Sequence, residues 1–309
     1  MYKIKGLKKV INKAIVIGLV ANILPLVLLA GAGVAIGITL SNLLSYDSVN
    51  YDNLTINDYE PNHAALMKRY KETKPDKYFT TFTPDELANI ALDKVGEHQY
   101  VHSFAIGEVK AVMNVRQSVR SYTIKNNNDY FYETISHSSF VSVQKRFYQD
   151  ATKIDQYVGD YVDAEHAKWK DKVVESLDNA TFEEKWGRTY ARPSVFIISN
   201  KTILDGSLVK QDDNNYVITL NLDTTTAVLR YIKQMIATSD LAEAPKFNSL
   251  ELNLTVDKNL NLISTYTNEN YDVKSFGLTS KGTKANVLET FYYDEVMEFP
   301  DLQTDCSYQ

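Results

Sequence analysis

The feature that most constrains the fold is the alternation of apolar and polar side chains in residues 250–266, LELNLTVDKNLNLISTY. Successive side chains of an extended strand point to opposite faces, so this pattern places every second residue on one apolar face. Asp257-Lys258-Asn259 then supplies turn chemistry that leads into a second strand. The stretch predicts an antiparallel hairpin whose apolar face is formed by Leu250, Leu252, Leu254 and Val256.

Four further segments between residues 109 and 161 have the same strand-like character. They are rich in β-branched and aromatic residues, and the chain as a whole has 21 tyrosines and only 12 glycines. The asparagine run 126–128 tolerates left-handed backbone angles and favours a hairpin turn. Long crossovers, which parallel strands need, are absent between these segments, so we expect an antiparallel meander. About nine or ten strands are predicted in total.

Three segments carry helix signals. Thr83-Pro84-Asp85-Glu86 forms a capping box with proline at the first helical position and predicts a helix that Gly96 ends. A second capping box, from Thr181 to Glu184, predicts a helix that ends at Gly187. Asp223 is expected to cap a third helix over 224–238. Its apolar stripe has the spacing i, i+3, i+4, i+7, i+8 and consists of Val228, Tyr231, Ile232, Met235 and Ile236.

The N-terminal 46 residues indicate a membrane anchor. Residues 14–46 contain no charged side chain, and this run is long enough for a helix to cross a bilayer. Five lysines precede this run, so the N-terminus is expected in the cytoplasm and the rest of the chain outside it. Ala30-Gly31-Ala32 also resembles a signal-peptide cleavage site. Cleavage there would leave a strongly apolar new terminus, which favours an uncleaved single-pass anchor in the cell membrane.

These signals divide the chain into five parts. The predicted boundaries are a basic cytoplasmic terminus (1–13), a transmembrane helix (14–44), a stalk with room for one short helix after Pro61 (45–82), an extracytoplasmic domain (83–299) and a tail (300–309). The bilayer is thus the first expected partner. Gly33 and Gly37 form a small-xxx-small pair through which two spans could pack as a dimer.

Charge excludes one class of partner. The chain has 33 basic and 39 acidic residues, and five of the basic ones lie in 1–13 with no acid beside them. The remaining chain therefore carries 11 more acidic than basic residues. Phosphate backbones require a positive field, so nucleic acid is not an expected partner.

No catalytic, metal or cofactor motif can be identified. His98 and His102 are four apart, but Gly96 separates them from the helix that would place both on one face. Cys306 is the one cysteine of the chain, so no internal disulfide is possible. It lies in the predicted tail without structured context, so a cysteine nucleophile is not expected either. An exported hydrolase that uses an unrecognised carboxylate pair remains the least favoured hypothesis.

The order of elements from residue 83 onward resembles the lipoprotein-carrier and LppX-like (Lol-type) group of exported bacterial lipid-binding proteins. The likeness lies in an opening helix, a meander, a helical insertion around TFEEKWG (181–187), the YVITLNLD strand (216–223), the helix after it and the closing hairpin (247–266). What the resemblance implies is an α+β fold, a curved antiparallel sheet forming an unclosed half-barrel, with helices on its concave face and an apolar pocket between. A transmembrane anchor departs from relatives that are lipid-anchored or freely soluble.

Two hypotheses of function follow. In the first, the exported domain binds a lipid or another apolar or amphiphilic ligand at the cell envelope. In the second, the core is self-packed and the outer surface or an exposed edge strand recruits an envelope protein. The candidate ligand-pocket residues are Val228, Tyr231, Ile232, Met235, Leu250, Leu252, Leu254 and Val256.

Overall fold

Twelve antiparallel strands dominate the computed structural model of this chain. It describes residues 49–111, 116–138, 142–161, 167–169, 173–192, 194–211, 214–238, 241, 243–275 and 278–300. The predicted basic terminus, the transmembrane segment with Gly33 and Gly37, and Cys306 lie outside these residues. Within them, no helix is both long enough and apolar enough to cross a bilayer.

The strands form one unclosed sheet, as the resemblance implied. Its order is β6-β5-β4-β3-β2-β1-β12-β11-β10-β9-β8, and β7 pairs with β5 beside this path. The first and last strands of the sequence therefore meet at the centre. The strands are β1 (Tyr100–Lys110), β2 (Arg116–Asn126), β3 (Asp129–Ser138), β4 (Ser142–Gln149), β5 (Lys153–Tyr161), β6 (Ala167–Trp169), β7 (Glu175–Asp178), β8 (Ile203–Lys210), β9 (Tyr216–Leu222), β10 (Lys246–Val256), β11 (Leu262–Ser275) and β12 (Leu278–Tyr293).

Both predicted hairpin turns are confirmed. Asn127 has a φ of 56° between β2 and β3, where its short polar side chain tolerates the left-handed region. In the second turn, Oδ1 of Asp257 accepts hydrogen bonds from the backbone N–H groups of Asn259 (2.7 Å) and Asn261 (2.8 Å). These bonds add to the backbone hydrogen bonds of Asp257 with Leu260 and Asn261, and together they direct β10 back into β11.

Five α-helices accompany the sheet in the described residues: α1 (His63–Glu72), α2 (Tyr78–Thr81), α3 (Pro84–Glu97), α4 (Asn179–Trp186) and α5 (Leu229–Thr238). The capping box at Thr83 is confirmed. The helix it opens passes through Gly96, whose φ is not left-handed, and ends one residue later.

Two predicted helix starts were wrong. Asp178, not Thr181, caps α4, because its carboxylate accepts a hydrogen bond from the Thr181 N–H at 2.9 Å. Asp223 does accept bonds from the N–H groups of Thr225 and Thr226, but these close a turn. The helix begins only at Leu229 because three β-branched threonines disfavour helical backbone before it.

The helices cover one face of the sheet, which we call the helix face. Side chains of α1, α3 and α5 pack with those of β1, β2 and β9–β12 in one cluster. In a second cluster, α4 packs with aromatic residues of β3 and β4 and with Ile154 of β5. The opposite face, which we call the open face, carries a shorter covering. There Met297 and Phe299 of the C-terminal segment pack beside Ile124 and Phe131.

The segment predicted as a stalk differs from that prediction from residue 49 onward. Leu66, Tyr78 and Phe82 are buried and belong to the same core cluster as α3 and β10. The short helix expected after Pro61 is present as α1, but its apolar side packs against α3 instead of extending into solvent. The polar sequence of α1 conceals this packing, because Leu66 is the one buried residue of the helix.

Two glycines provide a matched test of the packing. A Cβ at Gly107 would overlap the side chain of Val287 and lie 2.7 Å from the Asn286 carbonyl oxygen, whereas a Cβ at Gly96 meets no atom within 4 Å. We expect Gly107→Ala to lower the free energy of unfolding by about 2 kcal/mol. Gly96→Ala should raise it by about 0.5–1 kcal/mol, because alanine suits a helix better. Urea unfolding followed by tryptophan fluorescence measures both, and equal effects would contradict this account.

Candidate functional site

The eight predicted pocket residues are brought together, and protein covers them. Each has at most 5% of its surface exposed, and all eight belong to one core cluster. Leu87, Ile90 and Ala91 of α3 complete this cluster above the sheet. The apolar face of the 250–266 hairpin is therefore packed against helices of its own chain. That these residues also contact a ligand stays a prediction.

A carboxyl group lies inside this apolar core. Glu269 of β11 is 1% exposed and pairs in register with Leu250 and Ala285. The Tyr231 hydroxyl donates a hydrogen bond to Glu269 Oε2 at 3.2 Å, while Glu269 Oε1 has no hydrogen-bond partner among the described residues. Burial raises the pKa of Glu269 to about 8, so the side chain is mostly neutral at pH 7.

A small cavity lies farther along the helix face, between strands β1, β2, β3 and β12 and the segment 188–192. Its volume is about 40 Å³, room for a few water molecules and not for a whole lipid. The walls combine aromatic rings with buried polar groups. The lining residues are Val95, Gly96, Val101, Ser103, Thr123, Lys125, Tyr130, Tyr132, Arg188, Tyr190, Ala191, Arg192, Glu289 and Phe291.

Local backbone geometry places Arg188 in this cavity. Gly187 ends α4 with a φ of 78°, and a Cβ there would lie 2.6 Å from the Arg230 carbonyl oxygen. Only glycine therefore allows α4 to end so close to α5. The chain reverses at this point, and Arg188, 5% exposed, donates a hydrogen bond to the Arg192 carbonyl at 2.8 Å.

The cavity is lined by two buried ionisable groups of opposite type, the base Arg188 and the acid Glu289. Burial lowers the pKa of Arg188 and raises the pKa of Glu289. The hydrogen bond from Ser103 and the charge of Arg188 partly offset the rise in the pKa of Glu289. Ser103 Oγ donates to Glu289 Oε1 at 2.6 Å. The rings of Tyr132 and Tyr190 stack with centroids 4.9 Å apart. The arrangement offers a cation, an acid and flat apolar walls to one polar group of a bound molecule.

A larger cleft of about 460 Å³ separates the lead-in segment 59–69 from the start of α3 and from residues 199–201. Ten of the fourteen side chains lining it are polar or charged. Glu60, which lines the cleft, belongs to an ion-pair network. Glu60 pairs with Arg230 and, at 3.6 Å, with Arg192, and His63 Nδ1 lies 2.8 Å from Asp93 Oδ2.

The network favours the charged forms of His63 and Glu60. Hydrogen bonds to Asp93 and Glu60 raise the pKa of His63 to about 9 despite burial. Burial disfavours the charge of Glu60, but His63, Arg230 and Arg192 together hold the pKa of Glu60 below its ordinary value. The lead-in is therefore fastened to both α3 and α5 by charged groups at neutral pH.

The histidine pair of the sequence has a structural setting. His98 follows α3 directly, and the ring of His102 stacks on Tyr292 with centroids 4.9 Å apart. Among the residues that the structure describes, no three histidine, cysteine, aspartate or glutamate side chains are grouped as a metal site.

Comparison with known proteins adds no relative. The sequence matches no protein-family model and no curated protein. The resemblance to the lipoprotein-carrier group therefore stays a hypothesis, and function has to be argued from the geometry.

The buried acid makes stability depend on pH. The folded-state pKa of Glu269, about 8, lies above the unfolded value of about 4.3, so only the unfolded chain releases this proton between them. The contribution of Glu269 to the free energy of unfolding is complete below pH ~4 and is lost as pH rises towards 8. The free energy of unfolding then falls by at most about 1.4 kcal/mol per pH unit. We expect Glu269→Gln to flatten this part of the unfolding curve. Glu251→Gln, on the open face of β10, is the control, and an unchanged slope in Glu269→Gln would refute the assignment.

Proposed function

We propose that this chain is a membrane-anchored, extracytoplasmic binding module that takes an amphiphilic ligand on the helix face of its half-barrel. The observation that carries the proposal is the cavity beside Arg188, because it combines buried polar groups with aromatic walls on the sheet face that helices cover. Ligand sites commonly have this composition, mostly apolar with a few oriented polar groups.

The chemistry of the cavity favours a particular kind of ligand. Buried Arg188 suits an anionic or strongly polar headgroup, since a guanidinium presents several donors in a fixed plane. Tyr132, Tyr190 and Phe291 offer apolar surface to an attached chain or ring. A volume of about 40 Å³ accommodates no acyl chain, so the segment 188–192 would move outward when a ligand enters.

The proposed anchor gives this module a source of ligand. Residues 14–44 would hold the domain against the outer surface of the membrane, where lipids and other amphiphiles are concentrated. A fixed anchor is compatible with capture or transfer at the membrane and not with free diffusion between membranes.

Gly96 allows the cavity to be blocked with a matched control. It lines the cavity at the end of α3, and a Cβ there meets no neighbouring atom, so the backbone accepts a larger residue. We expect Gly96→Trp to lower the amount of co-purified ligand at least about tenfold, equivalent to about 1.4 kcal/mol, and Gly96→Ala to leave it unchanged. Native mass spectrometry and lipid extraction of the full-length protein measure the ligand. Wild-type protein without ligand, or equal occupancy in both variants, would reject the proposal.

The second candidate function is recruitment of a protein partner through strand β8. This strand is at one end of the sheet order and exposes Leu204 (68%) and Val209 (53%). An uncovered edge with apolar side chains is a template for an added strand.

A backbone substitution tests this edge. The Gln211 N–H bonds to the Asn215 carbonyl of the facing segment, so the N–H of the preceding Lys210, which is exposed, points away from β9. Proline at Lys210 removes this N–H and is tolerated on an edge strand better than inside a sheet. If a partner adds to β8, we expect cross-linked complexes recovered from membranes to decrease at least about fivefold in Lys210→Pro and to persist in Lys210→Ala. Unchanged complexes in a folded Lys210→Pro protein would contradict strand addition at this end of β8.

A further inference from the structure

Three basic side chains form one cross-strand row on the open face. Lys110 of β1 pairs in register with Arg116 of β2 and with Lys284 of β12, and all three are exposed. Like charges opposite each other destabilise a sheet. Glu108 offsets part of this repulsion, with contacts of 3.0 Å to Lys110 and 3.7 Å to Arg116. Lys284 has no carboxylate within 4 Å among the described residues.

An exposed apolar row runs parallel to the basic one. Ile106, Leu288 and Tyr266 are in register on β1, β12 and β11, and are 51%, 43% and 38% exposed. Arg120 of β2, also exposed, continues this row beside Ile106. The rows are four residues apart along each strand, a separation of about 13 Å. We call these seven residues the open-face patch: Lys110, Arg116, Arg120, Lys284, Ile106, Leu288 and Tyr266.

The basic row lies at the end of the sheet where the chain enters the domain. The Tyr51 hydroxyl donates to the Pro245 carbonyl at 3.2 Å, immediately before β10 begins at Lys246. Lys246 pairs in register with Asp272 of β11. Two residues away on β11, Asn270 pairs with Lys284 of the basic row, so the row and the start of β10 lie at the same end of the sheet. Six residues separate the expected end of the anchor, Leu44, from Tyr51, so these two positions lie at most about 25 Å apart.

We propose that the open-face patch docks the domain on the anionic surface of the bilayer that holds its anchor. Charge complementarity favours this occupant, because a basic row on an otherwise acidic body attracts anionic headgroups while the rest of the surface is repelled. Ile106, Leu288 and Tyr266 then supply apolar and aromatic contacts at the interface. The inference rests on the anchor in the proposed function and does not depend on a ligand in the cavity.

The contact can be measured with a fluorophore between the two rows. Ser118 is exposed and pairs in register with Glu108, so it accepts an environment-sensitive probe on Ser118→Cys in a Cys306→Ser background. Full-length protein is placed in nanodiscs of phosphatidylcholine, with or without about one third phosphatidylglycerol. We expect probe emission at least about twofold higher with the anionic lipid, and loss of the difference in about 0.5 M NaCl.

Charge-matched variants assign the effect to the patch. Lys110→Gln, Arg116→Gln and Lys284→Gln together should abolish the response to phosphatidylglycerol. The control removes three exposed lysines elsewhere, by Lys68→Gln, Lys210→Gln and Lys258→Gln, and should retain it.

The outcomes separate this inference from the function proposed above. Equal emission in both nanodiscs overturns the patch proposal, as does a rise that appears only when envelope proteins are added, which would indicate an acidic protein partner. Failure of the full-length protein to resist carbonate extraction from neutral vesicles would instead remove the anchor on which both proposals rely. Ligand content, measured separately, reports on the cavity alone.

Discussion

The contact between the helices and the leucine ladder of β10 is the interaction on which the rest of the structure depends. Leu250, Leu252, Leu254 and Val256 are almost fully buried beneath α3 and α5. Each such side chain contributes about 1.5–3 kcal/mol when it leaves water. This contact fixes α5 over β10 and β11, and α5 in turn receives the end of α4 at Gly187 and the ion pair from Glu60. The cavity beside Arg188 and the docked lead-in therefore exist because the ladder is covered.

The helix face is not uniformly apolar, and the difference marks where a function is to be sought. Around β10 the interior is a conventional hydrophobic core with one neutral acid, Glu269. Towards β2 and β3 the same face buries Arg188, Glu289 and Lys125. Burying charged or polar groups costs free energy, which a protein avoids unless the groups are paired or needed.

The sequence predicted the sheet well because alternation and turn chemistry act locally. The 250–266 hairpin and the Asn127 turn require only neighbouring residues. Helix starts were less predictable, since Asp178 and Thr181 both have capping side chains and only strand β7 before them decides between the two. Arg188, His63 and the docking of the lead-in were missed because their partners are distant in sequence. An isolated arginine after a helix-ending glycine gives no local sign that it is buried.

The sheet order has a consequence for how the protein is made. Because β1 lies next to β12, one long side of β1 has no partner until residues 278–293 are available. During synthesis from the N-terminus, β1 to β6 can pair as a meander before the last strand has been made. The pairing of β1 with β12 therefore joins segments nearly two hundred residues apart in the sequence. Contacts between such distant segments form slowly. During this interval the unpaired side of β1 is exposed, and such an edge is a binding surface for a chaperone.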